Sequence, residues 1–252
     1  MIKTADLTKR FGKLTAVDCL TIEIESGELF GFLGPNGAGK TTTINMLTGL
    51  IRPTSGIATI CDYDVQAQPM QVKSIVGLMP DTPQLYEALT GRQFVRLIAD
   101  LYEVDPKQSE KRMEDMLGTF DLTHAGDDLI KSYSYGMQKK ILLTAVLVHE
   151  PRVLFLDEPT SGLDPKSARM VKEILRERCD LGCTVFMTTH ILEIAERVCD
   201  RIGIINKGKL IAVGTMGELR RSRTTANLSL ENIFLELTED VEGIFQDSQI
   251  RR

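Results

Sequence analysis

The hydrophobic pattern changes period twice along the chain. Up to about residue 60 the apolar positions come in short runs: residues 2–7, 21–25 and 28–33 predict strands, with Ser26-Gly27 as a hairpin turn between the last two. Residues 41–50 predict a helix, 53–56 break the pattern, and 57–60 resume as strand. From Thr90 the spacing becomes helical. Thr90-Gly91-Arg92-Gln93 forms a capping box, and Phe94, Leu97, Ile98 and Leu101 follow on one face. Pro106 opens a second helix, with Met113, Met116, Leu117 and Phe120 on its apolar side.

Strands and helices then alternate. Residues 153–156 are four apolar residues in a row, which suits a central parallel strand covered on both faces. A helix over 166–181, a strand over 184–188, a helix over 192–200 and a strand over 202–205 complete a βαβαβ series. The block at 90–135 is therefore a helical subdomain inserted between two halves of an α/β core. The segment 220–252 is an appendage. It opens with a polar linker, continues with Leu230, Ile233, Phe234 and Leu237 at helical spacing behind Ser229 as N-cap, and ends in a polar tail. That short helix is expected to pack on its own domain.

Between the strand at 28–33 and the helix at 41–50 stands Gly34-Pro35-Asn36-Gly37-Ala38-Gly39-Lys40-Thr41, a complete G-x-x-x-x-G-K-[ST] phosphate loop. Gly37 and Gly39 can take backbone angles that a side chain forbids, so several N–H groups can converge on one anion. The helix start adds its unpaired donors and the positive end of its dipole. Lys40 is placed as a point charge on the β- and γ-phosphates, and the Thr41 hydroxyl, followed by Thr42, as a Mg²⁺ ligand. The strand at 153–156 ends in Asp157 and Glu158. Asp157 would hold Mg²⁺ through water, and Glu158 is the candidate general base. Acids also follow strands as helix caps, but Pro159 and Thr160 come next and cap candidates stand further on.

Glu158-Pro159-Thr160-Ser161-Gly162-Leu163-Asp164, with Thr188-Thr189-His190 downstream, resembles the ATP-binding subunit of an ABC transporter. The resemblance runs over about residues 2–219, with the motifs in order. It implies a P-loop NTPase core with an antiparallel β subdomain and an inserted α-helical signature subdomain. Residues 1–219 would be the ATPase domain. Phe11 matches the aromatic that stacks adenine, and His190 the switch histidine that senses the γ-phosphate. Tyr133-Ser134-Tyr135-Gly136-Met137 occupies the place of the signature motif, whose Ser134 and Gly136 would donate to the γ-phosphate of a second subunit. Residues 161–164, ending in Asp164, match the segment through which two subunits communicate. Two departures stand out: Tyr135 replaces the middle glycine of the signature, and Asp81 stands where Gln is more common. Asp81 could still order water near Mg²⁺. Both the phosphate loop and the segment 229–238 resemble the exporter type, whose membrane permease is a separate polypeptide.

The resemblance thus implies ATP and Mg²⁺ as ligands, head-to-tail pairing with a second ATPase subunit as homodimer or heterodimer, and an integral membrane permease as partner. Leu85-Tyr86, an apolar pair in a loop between Pro83 and Thr90, is the candidate anchor for that permease. A net charge of −5 and no basic stretch argue against nucleic acid as the main partner. The most apolar run, 141–148, is far short of a bilayer span, and no apolar leader is visible, so the expected place is cytoplasmic and peripheral to the membrane through the permease. The five cysteines are scattered, with no metal-binding His pair, and are expected as reduced thiols; His124 and His149 are expected as ordinary loop or helix-end residues. Two competing readings remain: a non-transporting ABC-type ATPase serving as assembly factor or clamp, and a small-molecule kinase. The insert is too short for a clamp's coiled coil, only one phosphate loop is present, and a kinase has no use for the signature or for His190.

Overall fold

The computed structural model describes residues 1–221, 230–232 and 234. Two sheets organise them. In the smaller one, β1 (Ile2–Phe11) and β2 (Leu14–Ile24) form a hairpin whose turn holds Gly12 at φ +57°, β4 (Ser55–Ile60) pairs antiparallel to the other edge of β1, and β5 (Tyr63–Asp64) follows. Both hairpin strands run longer than their apolar cores, because polar residues such as Thr8 and Arg10 still pair across the ladder.

The larger sheet contains β3 (Leu29–Leu33), β6 (Val76–Met79), β7 (Val153–Asp157), β8 (Thr184–Thr189), β9 (Arg201–Asn206) and β10 (Lys209–Gly214). Its order is β10-β9-β3-β8-β7-β6, parallel except for the antiparallel β10. Every residue of β3, β7 and β8 is buried, as a strand covered on both faces must be. Successive side chains of β7 enter different cores. Leu154 and Leu156 join the helical side, while Val153 and Phe155 join Phe30, Phe32 and Phe186 under the smaller sheet.

Helix α1 (Lys40–Leu47) follows β3, and α2 (Pro69–Ile75) precedes β6. The insert consists of α3 (Gly91–Leu101) and α4 (Pro106–Thr119), packed with α5 (Tyr135–Leu147). After β7 come α6 (Pro165–Asp180), α7 (Leu192–Val198) and α8 (Met216–Arg221). The capping box at Thr90 forms on both sides: its hydroxyl accepts from the Gln93 amide, and its own amide donates to the Gln93 side chain. Asp105 caps α4, ahead of Pro106. Such caps contribute about 1 kcal/mol each.

Four expectations are corrected. Ser26-Gly27 does not join paired strands, since β2 and β3 belong to different sheets. The Gly27 amide instead donates to the Thr184 hydroxyl at 3.1 Å, and Glu28 is held by Arg201, so the segment is a crossover. The helix expected over 41–50 stops at Leu47, because Gly49 takes φ +70° and closes the last turn with its amide on the Met46 carbonyl. Leu101 leaves the apolar stripe of α3 and is 69% exposed; Val95 and Ala99 take the buried face beside Phe94. The signature helix starts at Tyr135, whereas the motif's Gly136 reads as its first residue in the sequence. At the C-terminal end, Leu230 is buried among Leu33, Ala195, Ile202 and Ile204, with Phe234 packed alongside. Those two residues lie on the chain's own domain; Ser229, Ile233, Leu237 and the polar tail are outside the described residues.

Candidate functional site

The phosphate loop folds as the β3-to-α1 connection. Gly39 sits at φ +110°, and a Cβ there would lie 2.4 Å from the Ala16 carbonyl oxygen, so only glycine fits. Helix α1 has no side-chain cap, which leaves its first N–H groups for a ligand. The buried Lys40 ammonium donates to the carbonyls of Gly34 at 2.7 Å and Pro35 at 3.2 Å. Burial lowers its pKa, while Glu158, Asp157 and Asp81 act in the opposite direction. Asn36, Gly37, Thr41 and Thr42 line the same cleft; Ala38 is buried beneath it. That cleft encloses about 700 Å³. Phe11, the last residue of β1, stands half exposed at its rim with the Lys9 ammonium 4.9 Å from the ring centre.

The acids arrive from the end of β7. The Thr41 hydroxyl donates to Asp157 Oδ2 at 2.6 Å, and the Thr188 hydroxyl donates to the other carboxylate oxygen. A hydroxyl and a carboxylate meeting at a helix start are hard oxygen donors, a set that fits Mg²⁺ completed by water and phosphate oxygens. Glu158 adopts φ +50° and is buried. Its amide donates to Thr188 Oγ1 at 3.2 Å, and Oε1 lies 2.9 Å from His190 Nδ1. Oε2 is buried without a hydrogen-bond partner among the described residues, a cost of about 1–3 kcal/mol unless a proton donor occupies the cleft.

Not every candidate gathers here. Asp81 lines the cleft, but its carboxylate lies 3.4 Å from the Lys139 ammonium. Ser134 caps α5 by accepting from the Met137 amide, and neither it nor Gly136 lines the cleft. Asp164 is the N-cap of α6: its carboxylate takes the Ser167 amide at 2.9 Å and the Ser167 hydroxyl at 2.5 Å, contacts that hold its pKa below the usual range. These three therefore do not meet the phosphate loop of their own chain.

Other contributors escaped the sequence reading. Thr15, Ala16, Lys207 and Gly208 line the same cleft as Asp157 and Glu158. The β9–β10 turn braces the loop, since the Gly208 amide donates to the Ala38 carbonyl at 2.9 Å. Lys207-Gly208 between two apolar runs was the available turn signal. A second cavity, about 470 Å³, opens between the core and the insert, lined by Leu78, Pro80, Leu85, Tyr86, Phe94 and His149. Tyr86 is 63% exposed, while Leu85 is half-buried against the insert. His149 stacks on Tyr102 with ring centres 3.7 Å apart, and burial depresses its pKa to about 4. Burial likewise raises the Cys179 thiol to about 12 and Cys183 to about 11, which leaves both protonated at neutral pH.

Phosphate loop, acid pair and inserted signature helix together define the class of ATP-binding cassettes. The pattern of the ABC transporter family matches residues 17–161, more than half the chain, and the chain belongs to that family. It is 37% identical over 219 residues to the linearmycin resistance ATP-binding protein LnrL of Bacillus subtilis (strain 168), covering 87% of this chain and 70% of that protein. The daunorubicin/doxorubicin resistance ATP-binding protein DrrA of Streptomyces peucetius is 39% identical over 221 residues, 88% of this chain and 67% of its own length. Among solved structures, an ATP-binding subunit of an ABC transporter superposes with a TM-score of 0.90 at 31% identity, over 94% of this chain and 99% of that one. The chain is thus an ATP-binding ATPase subunit of a transporter, with the fold that the motifs implied. No helix among the described residues is long and apolar enough to cross a membrane.

Proposed function

We propose that this chain powers an exporter whose membrane permease is a separate polypeptide, and that two copies, or this chain and a paralogue, close head to tail over ATP. The drug-resistance names of the relatives support export. Closure over ATP is supported by one observation above all. The groups expected to contact a γ-phosphate fall on two surfaces: Lys40, Glu158 and His190 belong to the cleft and its edge, while Ser134 and Gly136 stand outside it. A partner's Ser134 and Gly136, at the N-terminus of its α5, would complete the site, with Asp164 near the contact.

Within the closed site Phe11 stacks on the adenine ring, the phosphate-loop amides and Lys40 hold the β- and γ-phosphates, and Glu158 takes a proton from the attacking water. His190, bonded to Glu158, sits at the γ-phosphate edge. Mg²⁺ held by Thr41 and Asp157, with Asp81 near its water shell, would neutralise charge on the β- and γ-oxygens. The permease docks a helix into the groove around Tyr86, which places the chain at the inner membrane face. Glu158→Gln keeps the shape of the base but cannot take the proton, so turnover falls by about 10²–10⁴ while ATP affinity persists. A variant retaining near-normal hydrolysis contradicts the assignment.

A further inference from the structure

Lys139 is the most buried cation among the described residues, with a fully covered side chain, and the carboxylate it pairs with, Asp81, is half exposed. From α5 its ammonium donates at 2.7 Å to the backbone carbonyl of Glu158 and reaches Asp81 Oδ1 at 3.4 Å. It also lies 5.4 Å from the centre of the Tyr135 ring. The Tyr135 hydroxyl donates to the Asp81 carbonyl at 3.1 Å, and its ring packs so tightly on Gly162 that a Cβ there would sit 2.6 Å away. One ammonium therefore ties together the acid at the end of β7, the loop after β6 and the start of the signature helix. An apolar side chain of the same length would avoid the desolvation that a buried lysine incurs.

We propose that Lys139 is a positioning residue for hydrolysis: it holds the left-handed Glu158 peptide from its carbonyl side and so lets the placement of α5 aim the base. The amide side of that residue is already fixed by Thr188 on β8, so each face of the strained turn is held by a different subdomain. Releasing the carbonyl lets the turn relax toward ordinary backbone angles and swings the carboxylate away from the water position. A misplacement of about 1 Å can cost about 10²-fold in rate. Nucleotide contacts are left alone, because Lys139 does not line the cleft.

The inference rests on Glu158 as the base, and the test separates the two. Steady-state ATPase and thermal melting are measured on the full chain for Lys139→Met, Lys139→Gln and Glu158→Gln. Lys139→Met is expected to lower kcat by about 10- to 100-fold with KM within about threefold and with Tm unchanged or raised. Lys139→Gln, which keeps an N–H donor for the Glu158 carbonyl, is expected to recover part of kcat. Unchanged kcat in Lys139→Met overturns the inference, as do a fall of kcat and Tm together or failure of both Lys139 variants to fold, which make the lysine structural. If Glu158→Gln itself keeps turnover, the base assignment has failed. If Glu158→Gln loses turnover while Lys139→Met keeps it, only the role of Lys139 has failed.

Discussion

Glu158 occupies a left-handed backbone at φ +50°, a conformation that costs a residue with a side chain about 1–3 kcal/mol. Bonds to Thr188 and Lys139 hold it there, and the carboxylate keeps one oxygen on His190 with the other unpartnered among the described residues. The candidates at this scale could be named from the sequence, because loop, acids and histidine come in fixed motifs. Lys139 was not. A lysine on a helix is ordinarily a solvated charge, and only the tertiary approach of α5 to the end of β7 buries it. Phe11 lies between these cases. Its exposure at the rim suits a stacked base, and stacking discriminates poorly among purines because each has a π-face. Phe11→Ala should weaken ATP affinity by roughly fivefold or more, given about 1–3 kcal/mol per stacked base. The wild-type chain should hydrolyse GTP measurably. Equal ATP affinity in the variant, read by nucleotide titration, returns Phe11 to a packing role.

Among elements, the capping box at Thr90, Pro106 and the apolar runs placed α3, α4, β3, β7 and β8 correctly, while β6 and β10 went unread. Val76–Met79 is only four residues long and contains Gly77, so no period emerges from it; its place is set by parallel pairing with β7. The groove beneath Tyr86 is equally invisible to periodicity, since it arises where β6, α3 and α5 meet. Its rim gives a docking test. Tyr86→Ala should leave the isolated ATPase intact while abolishing co-purification with the permease; loss of folding and activity together would make Tyr86 core and move the docking site elsewhere. Its floor gives a second test, of stability against pH. His149 has a folded pKa of about 4 against an ordinary value of 6.5, so at intermediate pH the unfolded chain binds the extra proton. Its contribution is fully present above pH 6.5 and is lost as pH falls toward 4, at up to about 1.4 kcal/mol per pH unit. His149→Phe, which can keep the stack on Tyr102, should flatten that part of the urea-derived stability profile. A profile of unchanged slope would mean the imidazole is already charged when folded.

For the whole molecule, one chain gathers the phosphate loop, Thr41, Asp157 and Glu158, but leaves Ser134 and Gly136 outside the cleft and Asp164 capping α6. Motif order revealed the fold class because each motif is tied to a strand end or helix start; the separation of the signature from its own cleft needed the insert's position in space. The same separation makes association the decisive property. The central claim is that ATP bound at one chain's phosphate loop is closed over by another chain's signature, and that Glu158 ends the closed state by hydrolysis. Light scattering on Glu158→Gln with MgATP tests it most directly. A mass near twice the monomer with ATP, reverting to monomer with ADP or when Lys40→Ala is added to the same chain, is the result predicted. A monomer under saturating ATP, or a dimer indifferent to nucleotide, contradicts it.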